Sequence, residues 1–272
     1  MHLPSINHID LSFISEFPLS SLTSSVNLRR LDISHVKHFA PDEILQSLPK
    51  ICEFHTSESP YSTTTTTLLY AKRPDGRPAF NFMDLRRVSM PLTFSEEKNI
   101  RYLLQNAKLL ERLKLSVKLG RLVGLHKILS SIAPSLKVLD LTLTCDSISL
   151  PLTVLCRELK AMAGHNMLEA LSFIFDVYHE TAPDHEAEGY IGSIIQEVEK
   201  VLFKSGWSSL RQVSFKFSIK YYGKEEREDI ASYPGRYNFY AINIPTFQNS
   251  SSVMRTFRFS LSVVSSAYLS FD

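Results

Sequence analysis

"PSLKVLDLTLT", Pro134 to Thr144, spaces Leu136, Leu139, Leu141 and Leu143 among residues that are polar or small, Val138 apart. Alternating apolar and polar residues are the pattern of a strand with one buried face. The spacing recurs. Apolar residues at positions 1, 4 and 6 of a six-residue unit occur in "INHIDL" (Ile6, Ile9, Leu11), "LRRLDI" (Leu28, Leu31, Ile33), "LRRVSM" (Leu85, Val88, Met90) and "LERLKL" (Leu110, Leu113, Leu115). They return in "LEALSF" (Leu168, Leu171, Phe173), "LRQVSF" (Leu210, Val213, Phe215) and "MRTFRF" (Met254, Phe257, Phe259). "ICEFHT" supplies Ile51 and Phe54 only.

A triplet this loose arises by chance in any chain rich in large apolar residues, so the segments between the copies carry the decision. "SEEKNIRYLLQNAKLL" puts Ile100, Leu103, Leu104 and Ala107 on one helical face, with Ser95 as N-cap and glutamates in the first turn. "PLTVLCRELKAMA" does the same with Leu152, Leu155, Leu159, Met162 and Ala163. "IGSIIQEVEKVLF" is the clearest, with Ile191, Ile194, Ile195, Val198, Val201 and Leu202; "LVGLHKILSSI" is a shorter version built on Leu122, Leu125, Leu129 and Ile132. Each segment leads into the next strand unit. Strand, loop, helix and strand in recurring order describe a solenoid, whose units bury their apolar faces only against one another.

From Leu85 to Leu110 to Leu136 the steps are 25 and 26 residues, inside the leucine-rich-repeat range. Later steps lengthen, and the Asn or Cys that closes such a strand is missing: Thr144 stands in its place, with Cys145 one residue late. The expected fold is therefore α/β, a degenerate leucine-rich-repeat solenoid with parallel strands on one face and helices on the other. Residues 1–220 form the repeats, 221–252 an irregular charged crossover, and 253–272 a C-terminal strand and tail. The alternation around Phe257, Phe259, Leu261 and Val263 predicts that residues 253–263 pair with the strand at Val213 and Phe215.

Four blocks are more specific than any triplet: "LPKICEFHTSES", "NIRYLLQNAKLLERLKLS", "PLTVLCRELKAMAGHNMLEALSF" and "VEKVLFKSGWSSLRQVSFKFS". They resemble the leucine-rich-repeat portions of F-box-type proteins of mushroom-forming fungi, over roughly residues 4–220. The resemblance implies the substrate-recognition arm of a ubiquitin-ligase adaptor. An F-box should precede the repeats, and none is visible; "APDEILQSL" (Ala40 to Leu48) imitates its opening helix but sits between two repeat strands, where a repeat helix with Pro41 in its first turn is expected.

Composition narrows the class of protein. The chain has 272 residues, 44% hydrophobic and 21% charged, with a net charge of +2. That supports a folded core and gives no electrostatic footprint for nucleic acid or membrane. Cys52, Cys145 and Cys156 are odd in number and lack CxxC spacing, against a disulfide framework or zinc site. No signal peptide or membrane-spanning run is recognisable. An intracellular setting, cytoplasmic or nuclear, is expected.

Catalytic signals are thin. "HETAPDHE" gathers His179, Glu180, Asp184, His185 and Glu186, but Pro183 occupies the i+4 position where an HExxH helix needs its second histidine. An exposed loop is expected there; a hydrolase or metal enzyme using His179–Glu186 is the alternative class, and a diverged copy without retained function a third. Cys156 with His165 suggests a nucleophile and base only until Cys156 is placed near an apolar helix face. "STTTTT", Ser62 to Thr67, reads as an exposed low-complexity loop. No glycine-rich phosphate loop is present, and no cofactor or metal is expected.

A non-enzymatic protein-binding scaffold remains. Positions 3, 5 and 7 of each unit point away from the core. The partner-binding candidates are Asp10, Asp32, Lys114, Asp140, Thr142, Ser172, Ser214 and Arg258. The partner would be a protein.

Overall fold

The computed structural model describes residues 6–40, 49–57, 63–93, 97–119, 122–145, 152–164, 166–179, 186–202, 206–221 and 258–267. Among them are eleven strands and six helices, an α/β architecture in which the paired strands run parallel. The chain forms two compact units, Met1–Ser116 with Gly124–Leu139, and Val117–Val123 with Asp140–Asp272.

In the first unit, strands β1 (His8–Ser12), β3 (Arg30–Ser34), β5 (Glu53–Thr56), β6 (Arg87–Pro91) and β7 (Arg112–Lys118) lie side by side in chain order. They coincide with the triplets. Leu31, Phe54, Val88 and Leu113 at position 4 stand in register and are buried, as are Ile33, Met90 and Leu115 at position 6. The strand starts share one hydrogen-bond pattern. The amides of Arg29 and Arg30 both donate to the Asn7 carbonyl, and those of Cys52 and Glu53 to Arg29. Arg86 and Arg87 donate to Cys52, Glu111 and Arg112 to Arg86, and Lys137 and Val138 to Glu111. Before β3, β6 and β7, a leucine amide (Leu28, Leu85, Leu110) bonds back to the carbonyl three residues earlier, whereas before β5 the Ile51 amide bonds to Asn81. Repeated spacing has thus become repeated backbone geometry, with polar groups at each start satisfied by the preceding unit.

Helix α3 (Glu97–Asn106) buries Ile100, Leu103 and Leu104, and Ala107 beyond its end is buried too. Helix α4 (Leu125–Leu129) buries Leu125 and Leu129, flanked by buried Leu122 and Ile132. A short parallel pair that no triplet announced, β2 (Glu16–Pro18) with β4 (His38–Ala40), adjoins α1 (Leu19–Thr23) and brings Phe17 edge-on to Phe39.

The threonine run overturns its expectation. Residues Thr63–Tyr70 form helix α2, with Thr64, Thr65, Leu68 and Leu69 buried. β-Branched residues disfavour helices only slightly, and a buried hydroxyl needs a partner. Here Thr64 Oγ1 donates to the Val36 carbonyl at 2.7 Å, and Thr66 Oγ1 accepts from Asn99 Nδ2 of α3 at 2.8 Å. Low complexity concealed a helix docked through its hydroxyls.

In the second unit, β8 (Val138–Cys145), which begins in the first, is followed across the sheet by β9 (Ala170–His179), β10 (Gln212–Tyr221) and β11 (Arg258–Ala267). Leu139, Leu141, Leu143 and Leu171 are buried. Phe173 stacks on Phe215 at 5.1 Å between ring centroids, and Phe175 on Phe217 at 4.9 Å, so the parallel register of β9 and β10 is fixed by paired aromatic rings. Helices α5 (Thr153–Met162) and α6 (Glu186–Leu202) pack together, burying Leu155, Leu159, Ile194, Ile195 and Val198.

Strand β11 pairs with β10 in parallel, in a register two residues from the one in which the "MRTFRF" and "LRQVSF" units would align. Arg258 stands beside Gln212, and Ser260 takes the place beside Ser214. Phe257, Phe259, Leu261 and Val263 form one alternating run. A two-residue slide keeps every side chain on its face, so periodicity alone leaves this register open. Segment 41–48, Ser95, His165, the loop 180–185, the crossover 222–252, residues 253–257 and the tail 268–272 lie outside the described residues.

Candidate interaction face

Sheets covered on both faces carry near-continuous apolar strands. The strands of the first unit alternate instead, and their outward positions 3 and 5 remain exposed or half-buried. Register gathers these side chains into two rows. Position 3 gives His8, Arg30, Glu53, Arg87 and Arg112; position 5 gives Asp10, Asp32, His55, Ser89 and Lys114. The structure thus brings the candidates Asp10, Asp32 and Lys114 onto one row. The position-3 residues and His55 were missed as site residues, although the position-3 signal was present in every unit.

The rows are cross-linked by charge. Arg30 grips Asp32 through Nε and Nη2, the latter at 2.8 Å, and His8 Nε2 lies 3.0 Å from the same carboxylate. Asp32 is half-buried; burial pushes its acid strength one way, but the hydrogen bonds from Arg30 and His8 and the nearby charges outweigh it and hold the pKa below the usual carboxylate range. Arg87 donates to Glu53 Oε1 at 3.1 Å, and Arg30 Nη1 reaches Glu53 Oε2 at 3.8 Å. Asp10 accepts a hydrogen bond from Ser12 at 2.7 Å.

His55 is the least settled member. Its Nε2 lies 4.0 Å from Glu53 Oε2, within ion-pair reach but too far for a hydrogen bond, and has no hydrogen-bond partner among the described residues. Burial, aided by Arg30 and Lys114, pulls its pKa down against the opposing pull of Asp32 and Glu53. Phe13 and His35 follow β1 and β3 in left-handed backbone conformations, φ 57° and 54°, and their rings stack at 4.7 Å. Phe13 is exposed on that edge.

The other candidates divide. Ser172 and Ser214 are register partners in the second unit, both half-buried. Thr142 is half-buried, but Asp140, expected to point into solvent, is only 9% exposed and is engaged within the fold. Arg258 lies on the Gln212 row, as above. Among the described residues no group of three or more His, Cys, Asp or Glu side chains could hold a metal ion. Of the His179–Glu186 stretch, the loop and all side chains lie outside the described residues. Cys156 is buried on α5, and burial, with the charge of Glu197, pushes its thiol pKa up. That keeps it protonated and a poor nucleophile. Among the described residues no helix is long and apolar enough to cross a membrane. No family model, curated protein or solved structure matches the chain.

Proposed function

We propose that this chain is a non-enzymatic protein-binding scaffold, built as a degenerate leucine-rich-repeat solenoid. Its partner docks on the outward face of β1, β3, β5, β6 and β7. Following the resemblance of its sequence blocks, we assign it the role of substrate-recognition arm in an F-box-type ubiquitin-ligase adaptor. One observation carries the reading. Five in-register parallel strands leave one face open and fill it with two rows of arginine, aspartate, glutamate, histidine and lysine. A row of such groups held by cross-strand contacts is a preorganised surface, where charge complementarity sets partner choice.

The test is affinity capture with quantitative mass spectrometry, comparing the wild type with an Asp10→Lys, Lys114→Glu variant of unchanged circular dichroism. The reading expects one group of proteins to be lost from the variant, and ubiquitin-ligase subunits to be retained by both. Identical captured sets would contradict the face. Absence of ligase subunits would remove the ligase role and leave the scaffold.

A further inference from the structure

Six large apolar side chains are exposed among the described residues, and four of them occupy one place in the repeat. Val26 and Met83 stand two residues before Leu28 and Leu85, and Leu109 and Met167 one residue before Leu110 and Leu168. In the first unit these are the turns that the Leu28, Leu85 and Leu110 amides close, so Val26, Met83 and Leu109 are carried at the end of the sheet where the strands begin. Scattered apolar residues on a surface need no explanation, but a recurring position does. The next residue of each unit forms a second row at that end. The Cys52 amide donates to the Arg29 carbonyl, that of Arg86 to Cys52, Glu111 to Arg86 and Lys137 to Glu111, one step per unit. Lys50 joins this row, its carbonyl accepting from Arg29 Nη1 at 3.4 Å, and Lys108 precedes Leu109 in its turn. Arg86 pairs with Glu111 at 3.0 Å. Arg29, Lys50, Lys108 and Lys137 are exposed and have no ion-pair partner among the described residues. The strand-entry end thus presents three apolar side chains among four unpaired cations, with Asp84 the remaining carboxylate of these turns.

We propose that this end of the first unit docks an acidic amphipathic helix of a partner protein, on a surface separate from the outward rows and independent of the reading above. Charge selects the sign of the occupant, because unpaired cations around apolar side chains attract and orient an anionic partner. Spacing selects its form. Successive strands are about 4.8 Å apart and a helix advances about 5.4 Å per turn, so a helix laid across the strand starts meets one unit per turn. Met83 and Leu109 belong to neighbouring units, and Val26 lies two units before Met83. The matching apolar stripe therefore recurs after two turns and then one, at about i, i+7 and i+11. The four steps from Arg29 to Lys137 span about 19 Å, which roughly three and a half helical turns cover. Glutamates beside the stripe then meet Arg29, Lys50, Lys108 and Lys137. A membrane fits this surface less well, because Asp84 and Glu111 stand inside the row, where a uniformly anionic surface repels them.

The probe is a fluorescein-labelled helical peptide with leucines at that spacing and glutamates flanking them, read by fluorescence anisotropy. The wild type is expected to bind it saturably, and not to bind the counterpart with lysine in place of glutamate. Lys108→Glu should weaken binding about tenfold or more, as loss of a close charge pair does. Met83→Ser should weaken it about tenfold through lost apolar contact. Both side chains are exposed, so neither change disturbs the core. Lys98→Glu, at the opposite end of α3 and about 12 Å from its last residue, should leave affinity within about twofold, as a distant screened charge does. The Asp10→Lys, Lys114→Glu variant should bind the peptide as the wild type does, which separates this surface from the outward rows. No binding by the wild type, equal affinity for the lysine peptide, or equal losses in Lys108→Glu and Lys98→Glu would overturn the inference. So would loss of the peptide in the Asp10→Lys, Lys114→Glu variant. Cosedimentation with phosphatidylserine vesicles that Lys108→Glu abolishes, without peptide binding, would also overturn it and assign the surface to a membrane.

Discussion

At the scale of single residues, the polar face stores a pH response. His55 has a depressed pKa in the fold, so the unfolded chain takes up its proton first as pH falls. Its contribution is fully present above its ordinary value of 6.5 and is lost progressively below it. Asp32, also depressed, adds a second loss that begins only as pH falls below about 3.8. Urea titrations at stepped pH should therefore show stability declining between pH 6.5 and the His55 pKa, and His55→Gln should flatten that decline. An unchanged slope in the variant would show that other groups carry it. In the core the expectation is simpler. Leu139 is fully buried, and Leu139→Ala should cost about 2–5 kcal/mol through lost packing and a cavity. Denaturant unfolding checks it; a loss under about 1 kcal/mol would mean that the site collapses or is not packed. The leucine was legible from its spacing alone. His55 was not, because nothing in "CEFHT" reveals that Asp32 and Ser89, far away in sequence, will flank it, or that Arg30 and Lys114 will act on its charge.

Elements were legible in proportion to the strength of their period. Leu113, Leu139, Phe173 and Val213 marked their strands correctly, because alternation of large apolar residues dictates which face is buried. α3, α5 and α6 followed from their apolar faces for the same reason. α2 did not, since five consecutive threonines have no apolar period, and its helix depends on partners such as the Val36 carbonyl and Asn99. β2 and β4 are three residues each, too short for any period to emerge. The register of β11 was ambiguous by two residues, as its alternating run allows. Its pairing still has a consequence. Removing residues 253–272 strips β11 from β10 and leaves the backbone groups of Gln212–Tyr221 unpaired along that side. The truncated chain is expected to self-associate in light scattering and to melt at a lower temperature. A monomer with an unchanged melting temperature would show that β11 contributes nothing to the sheet.

For the whole molecule, the account turns on which face meets other proteins. The α/β plan and the buried positions were readable from spacing, and so was the alternation that leaves one face open. The paired rows became visible only when register set Arg30 beside Glu53 and Arg87 beside Arg112. Charge chemistry, unlike apolar period, depends on neighbours supplied by distant parts of the chain. The most direct measurement is site-specific photocrosslinking in cells with a photoreactive amino acid at one of two places. One is Ser89, in the outward row between His55 and Lys114; the other is Lys98, exposed on α3. Reaction occurs only with what lies within side-chain reach. The account predicts a discrete crosslinked protein from position 89, lost on adding Lys114→Glu, and none from position 98. Crosslinks from position 98 alone would contradict it and move the interaction to the helices.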